Sequence, residues 1–191
     1  VTFLNSSTGF ICGDGGAVYK TNDGGATWAG SSSGISGTDL NGISFADALN
    51  GVTVGDNGAV FVTQDGGATW NVESVPTSRN LLKAKCFAEG IIAVGEFGTV
   101  ITKEGKGSWQ TVATRTVSDI RGVSGTSFAN AKVCGGGGFI RNNTNGKTNF
   151  FNFEINPMLA NLDDVFTYDA NKSFAVSSLN YAVKRTTNGG T

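Results

Sequence analysis

Carboxylates recur at one position of this sequence, where they could attract a cation or a basic segment of a partner protein. Asp14, Asp56 and Glu96 each follow the first glycine of a Gly-x-x-Gly segment, and carboxylates gathered from several such segments would create a negative potential. Asp and Asn are also common turn residues, so a purely structural role stays open. The series then breaks at Gly136 and Ser178. One carboxylate per turn is far from the oxygen set of a calcium loop, and we predict no metal site.

Basic side chains form a second group of candidate binding residues. Arg79 and Arg115 lie in segments that separate repeated units, and Arg121 lies at a predicted inner-strand position. Scattered, solvated arginines are the alternative interpretation.

The composition excludes several classes of function. The 191 residues include no histidine, which removes Ser-His-Asp catalysis, Cys-His nucleophiles and His-ligated metals. A net charge of −1 argues against nucleic-acid binding, and no apolar run reaches the roughly 18 residues of a membrane span. Asp163 and Asp164 are adjacent and would point to opposite faces of a strand, which makes them a poor pair for glycoside hydrolysis. We therefore predict a protein that is not an enzyme and needs no cofactor.

An eight-residue segment, which we call the box, recurs along the whole sequence. It reads Thr-x-Asp-Gly-Gly-Ala-Thr-Trp in two intact copies and is altered in three later ones. Its acidic or amide position falls at Asp23, Asp65, Glu104, Asn145 and Asn188, with spacings of 42, 39, 41 and 43. The first four boxes end in Trp28, Trp70, Trp109 and Phe150.

Each repeat also contains four short apolar runs, separated by glycine turns and without a helical period. Four strands every 40–45 residues or so are typical of a β-propeller blade. We therefore predict an all-β fold, a β-propeller of four-stranded antiparallel blades with about five repeats visible. The domain 1–191 divides into approximate units 1–38, 39–79, 80–118, 119–160 and 161–191.

The two intact boxes resemble the Asp-box, also called the bacterial neuraminidase repeat. The longer pattern from Phe45 through Gly51, Gly55 and Gly58 to Trp70 is similar to the propeller family named for the photosystem II stability and assembly factor. The resemblance implies that the box joins the third and fourth strands, away from the usual binding face. The structural box residues are then Asp23, Trp28, Asp65, Trp70, Glu104 and Trp109.

Physical chemistry supports a structural role for the box. The aspartate can accept backbone N–H bonds within its turn, and paired glycines allow the positive φ of a tight loop. The tryptophans would pack between neighbouring sheets.

The resemblance also implies a type of partner and a location. The family is known for an arginine patch that meets a protein partner, although Arg79, Arg115 and Arg121 are not matched to that patch residue by residue. Many secreted and surface proteins of bacteria share these repeats. We therefore expect a secreted or cell-surface module for protein binding, assembly or adhesion, within a larger surface or membrane-associated assembly. An extracellular place is favoured over the periplasm or thylakoid lumen, with no nucleic-acid partner and no direct membrane insertion.

Two other functions stay open. One is a sialidase-like domain that binds or hydrolyses glycans, although the sequence has only five arginines and lacks the Arg-Ile-Pro motif of those enzymes. The other is a purely structural repeat within a much larger surface protein. The start at Val1 and the stop inside a fifth box favour a piece of a larger propeller over a closed five-bladed ring.

Overall fold

The computed structural model describes residues 1–143, 152–153, 161–177 and 182–186, whose strands form five antiparallel sheets. We number these sheets as blades 1 to 5. Blade 1 contains β1 (Thr2–Phe3), β2 (Gly9–Cys12), β3 (Val18–Thr21) and β4 (Ala29–Gly30). Blade 2 contains β5 (Leu40–Phe45), β6 (Gly51–Gly55), β7 (Val60–Thr63) and β8 (Asn71–Val72).

The remaining blades follow the same order. Blade 3 contains β9 (Leu81–Phe87), β10 (Gly90–Gly95), β11 (Val100–Glu104) and β12 (Gln110–Thr111). Blade 4 contains β13 (Ile120–Ser124), β14 (Lys132–Gly135), β15 (Ile140–Asn142) and β16 (Asn152–Phe153). Blade 5 contains, within the described residues, β17 (Asp164–Thr167), β18 (Ser173–Ser177) and β19 (Ala182–Thr186).

The hydrophobic core lies between consecutive blades. Val52 and Val54 of β6 pack in one cluster with Leu81 and Trp109 of blade 3. Equivalent clusters join blades 1 and 2, blades 3 and 4, and blades 4 and 5. Because a middle blade is covered on both faces, all five residues of β6 are buried and the strand is almost continuously apolar.

The first strands of the blades approach each other closely. A Cβ on Gly42 of β5 would lie 3.0 Å from the Cα of Lys83 in β9, and a Cβ on Gly122 of β13 would lie 3.0 Å from the Cα of Asp164 in β17. Lys83 also forms an ion pair with Asp164 at 2.6 Å, from blade 3 to blade 5. The first strands are therefore innermost, and glycine leaves the space for their approach.

The structure locates the repeated turns and boxes. The Gly-x-x-Gly turns join second to third strands, and the first three boxes join third to fourth strands. Asn145, Phe150, Ser178 and Asn188 lie outside the described residues. Within the described part of the chain, no helix is long and apolar enough to cross a membrane.

Candidate functional site

In blades 1 to 4, the turn between the second and third strands has two consecutive residues with positive φ, and the second of them is always glycine. We call the first one the left-handed residue of the turn. It is Gly15 in blade 1, Asn57 in blade 2, Phe97 in blade 3 and Gly137 in blade 4, with φ of 65°, 56°, 52° and 67°. Glycine and asparagine adopt this conformation readily. For a bulky residue such as Phe it costs on the order of 1–3 kcal/mol.

Phe97 is nevertheless exposed at 58%. The Arg79 guanidinium carbon lies 4.3 Å from the centre of its ring, a cation–π contact of about 0.5–1 kcal/mol at an exposed site. The backbone N–H of Phe97 donates to Asp119 Oδ1 at 3.2 Å. A strained backbone thus presents an aromatic ring to solvent instead of burying it, and strain of this kind concentrates at functional sites.

The connection from blade 3 to blade 4 lies against the same turn. Thr114 Oγ1 donates to the carbonyl of Gly98 at 2.8 Å, and a Cβ on Gly98 would lie 2.0 Å from the carbonyl oxygen of Thr116. On either side of Thr116, Arg115 and Val117 are exposed, and Arg115 is itself left-handed with φ 59°. We define the turn patch as Arg79, Phe97, Arg115 and Val117.

The predicted carboxylates begin the same turns. Asp14, Asp56 and Glu96 each occupy the residue before the left-handed one. Asp56 accepts a hydrogen bond from Asn41 at 2.8 Å, and Glu96 accepts one from Asn80 at 3.4 Å. Among the described residues, no group of three His, Cys, Asp or Glu side chains could hold a metal ion.

The predicted arginines occupy two settings. Arg79 and Arg115 lie beside the turn of Glu96, as described above. Arg121 lies in β13 and forms ion pairs with Asp119 at 3.4 Å and Asp163 at 3.7 Å. Because all three side chains of these pairs are more than a third exposed, the pairs contribute little to stability.

The first two boxes are held by their aspartates. Asp65 Oδ1 accepts hydrogen bonds from the Thr63 hydroxyl at 2.8 Å and the Thr69 N–H at 2.9 Å, and Oδ2 accepts one from the Thr69 hydroxyl at 2.6 Å. These bonds, with that of the Thr69 hydroxyl first in effect, lower the pKa of Asp65 to about 2. Asp23 has the same bonds in blade 1, and its pKa is also lowered to about 2.

The two buried free cysteines, Cys86 and Cys134, have unreactive thiols. Burial raises the pKa of Cys86 to about 11 and that of Cys134 to about 12. Because the thiolate is the reactive form, neither is a nucleophile near neutral pH.

Sequence reasoning missed two features of this face. Asp39, Asn80, Asp119 and Asn161 each precede a first strand, and each side-chain oxygen accepts the N–H of the left-handed residue in the preceding blade, at 2.8 to 3.2 Å. Their regular spacing was the available signal. Phe97 was also missed. The equivalent turn positions of blades 1, 2 and 4 hold glycine or asparagine, which adopt the left-handed conformation readily, so the phenylalanine in blade 3 was the signal.

Comparisons with known proteins give structural matches alone, because no protein-family model and no curated protein matches the sequence. YCF48, solved bound to D1 peptide, matches with a TM-score of 0.68 and 18% identity over 92% of this chain. A GH74 enzyme of Niastella koreensis matches with a TM-score of 0.76 and 15% identity over 98% of this chain and 36% of its own.

PorZ is a third structural match. It is an essential bacterial surface component of the type-IX secretion system of Porphyromonas gingivalis, and it matches with a TM-score of 0.59 and 12% identity over 92% of this chain and 23% of its own. The present chain spans 58% of the length of the YCF48 chain. Similarity at these identities concerns the fold, and it shows that this all-β chain of antiparallel blades is a β-propeller.

Proposed function

We propose that this chain is a non-catalytic protein-binding module, exported or displayed on a cell surface, that binds a segment of a partner protein at the turn patch. The observation that carries the proposal is Phe97, an exposed aromatic ring on a left-handed backbone. A chain that only needed a stable turn would place glycine or asparagine there, as blades 1, 2 and 4 do.

The chemistry of the turn patch suits protein recognition. Aromatic residues and arginine are enriched in the cores of protein interfaces and among residues that dominate binding energy. Phe97 supplies a ring that Arg79 already holds in place, so little conformational freedom is lost on binding. Val117 adds exposed apolar surface and Arg115 a positive charge. An aromatic centre with a cationic border fits a segment that has both an apolar and an acidic side chain.

Two structural neighbours support the proposal without deciding it. YCF48 was solved with a bound peptide, so a propeller of this kind can take a segment of another protein. PorZ is a bacterial surface component, and this motivates the exported or cell-surface location.

The turn allows a test that separates binding from folding. Phe97→Gly removes the ring and relieves the backbone strain, so we expect the thermal midpoint to be unchanged or raised. Affinity for the partner recovered by crosslinking in native material should fall at least tenfold, as for a residue at the centre of an interface. Asn57→Gly makes the equivalent change in blade 2 and should leave affinity unchanged.

Other outcomes would contradict the proposal. Equal affinity of wild type and Phe97→Gly would remove the turn patch from binding. Recovery of monomers alone after crosslinking, combined with specific binding on a glycan array, would favour the carbohydrate alternative.

A further inference from the structure

A cavity of about 220 Å³ opens between blades 2 and 3, beside the third box. It lies at the box end of the strands, away from the turn patch, and is independent of the proposed function. Blades 2 and 3 each pack against a blade on both sides, so the cavity belongs to the middle of the chain. The apolar part of its lining includes Val62, Phe87 and Ile91, and the polar part includes Asp47, Glu73 and Lys103.

Between blades 1 and 2, a lysine side chain occupies the equivalent space. Lys20 pairs with Phe10 across β2 and β3. Val62 pairs with Val52 in the same way across β6 and β7, so Val62 takes the place of Lys20 in the next blade. Lys20 Nζ reaches across to blade 2, where it donates to the carbonyl of Gly66 at 3.1 Å. Valine is too short for such a contact, so Val62 leaves the corresponding space beside blade 3 to the cavity.

The third box is open where the second box meets this lysine. Gly66 and Gly105 are counterparts, because each follows the acidic residue of its box. A Cβ on Gly66 would lie 3.7 Å from Lys20 Nζ, whereas a Cβ on Gly105 would meet no described atom within 4 Å. The hairpin between the first and second strands is also shorter here, with residues 88–89 in blade 3 against 46–50 in blade 2.

The charges of the lining favour a cation. Glu73 forms an ion pair with Lys103 at 2.7 Å and accepts a hydrogen bond from Trp109 Nε1 at 3.1 Å. Both contacts are made by Oε2, and Oε1 has no hydrogen bond among the described residues. Asp47 is a second carboxylate, and hydrogen bonds from the side chain and backbone of Asn50 lower its pKa. Two carboxylates against one ammonium group give the lining a net negative charge, which attracts cations.

We propose that this cavity binds the side chain of a lysine from another protein. The methylenes of that lysine pack on Val62 and Ile91. Its ammonium group donates to Glu73 Oε1 and to the carbonyl of Gly105, as the ammonium group of Lys20 donates to the second box. At about 30 Å³ for each water-sized group, the 220 Å³ of the cavity accommodate four methylenes and an ammonium group.

Titration of the full chain with a capped lysine, Nα-acetyl-lysine N-methylamide, tests the proposal. We expect saturable changes in the nuclear magnetic resonance signals of the Val62 and Ile91 methyl groups. The same compound acetylated at Nζ keeps the methylenes and loses the charge. It should bind at least tenfold more weakly, because hydrogen bonds from an ionised donor to a carboxylate are the stronger ones.

Two substitutions and a matched control locate the site. Val62→Lys supplies the ammonium group from within the chain, as Lys20 does in blade 1, and should weaken binding of the capped lysine at least tenfold. Glu73→Gln keeps an acceptor for Trp109 but removes the charge, and it should weaken binding to a similar extent. Val72→Lys makes the same change as Val62→Lys in the same blade, on a side chain that is 75% exposed outside the lining, and should bind as wild type does. Thermal melts show which variants are folded.

Several results would overturn the proposal. One is a wild type without saturable changes at these methyl groups, and another is equal affinity for the two lysine compounds. A folded Val62→Lys or Glu73→Gln variant that binds as wild type does would also overturn it. Binding of n-butylammonium without binding of the capped lysine would mean that the cavity admits free amines but no protein side chain, which is equally contrary to the proposal.

Discussion

The second and third boxes bury their tryptophans to the same depth but hold their loops by different means. Trp70 is 3% exposed and Trp109 is 6% exposed. Trp70 donates to a backbone carbonyl of the preceding blade, that of Ser31. Trp109 donates instead to a carboxylate of the preceding blade, Glu73 Oε2, at 3.1 Å.

The difference has a simple geometric cause. Compared with blade 2, blade 3 has one residue fewer between its Gly-x-x-Gly turn and its box. The first box residue, Thr102, therefore takes the position of Val62 in the strand, and it pairs with Ile92 as Val62 pairs with Val52. Side chains alternate between the faces of a strand, and a slip of one residue therefore exchanges them. Lys103 takes the place that Thr63 has in blade 2.

Each exchanged side chain meets new surroundings. The Thr102 hydroxyl is buried without a hydrogen-bond partner among the described residues. Lys103 forms an ion pair with Glu73 at 2.7 Å. Glu104 has no described side-chain hydrogen bond like those of Asp65. The comparison teaches that the tryptophan between blades is the constant element, while the polar contacts that hold the loop are replaceable.

The largest expected effect tests whether the tryptophan between blades is the constant element of the boxes. Trp70→Ala and Trp109→Ala should each lower the free energy of unfolding by about 3–5 kcal/mol, because each empties a large buried site between two blades. Urea denaturation followed by circular dichroism measures both. Trp28→Ala should cost clearly less, since Trp28 is only half-buried. A loss of unfolding free energy below about 1 kcal/mol for either buried tryptophan would contradict the view that the tryptophan is the constant element, because typical substitutions already have an effect of that size.

Substitutions of the two box threonines, Thr63 and Thr102, should change the free energy of unfolding by smaller amounts and in opposite directions. Thr63→Val removes the hydroxyl that donates to Asp65 and accepts the N–H of Gly67. It should cost about 1–3 kcal/mol, because a buried N–H loses its partner. Thr102→Val removes a buried hydroxyl with no partner and should be neutral or stabilising by about 1 kcal/mol. Thermal melts of the two variants give the signs, and a shared sign would refute the slip as the cause.

Much of this arrangement could be predicted from the sequence, because it follows from short-range patterns. The boxes contain paired glycines that permit their turns, and the apolar runs between them are too short for helices. The fold class was therefore predicted correctly. The sequence also shows that blade 3 has one residue fewer between its turn and its box. It does not show whether the shortening shifts the residues of the strand or those of the loop. That depends on the packing of Ile92 and Trp109 between blades, which is a long-range effect.

The candidate site was less predictable for a related reason. Asp39 and Asn80 precede first strands, and their side chains bond to turns of the preceding blade. No local pattern specifies contacts between blades, which arise when the blades pack. Phe97 shows the same limit, since its exposure depends on Arg79, in a connection between two blades.

The smallest expected effect concerns pH and distinguishes the boxes by their carboxylates. The pKa of Asp65 is lowered to about 2 by the Thr69 and Thr63 bonds, whereas an unfolded Asp has a pKa near 3.9 or so. Below about pH 4 the unfolded chain therefore binds more protons than the folded one, and stability present above that pH is lost as pH falls towards 2.

Asp65→Asn should show a shallower fall of the thermal midpoint between about pH 4 and pH 2, with a lower midpoint at pH 7, because an amide cannot accept all of these bonds and does not titrate. Asp23 leaves part of the fall in place, since its pKa is lowered in the same way. Glu104→Gln is the matched control, because Glu104 has no such network in the slipped box, and its profile should follow that of wild type. Equal flattening by Asp65→Asn and Glu104→Gln would mean that the slip leaves the box carboxylate in place, contrary to the register of blade 3.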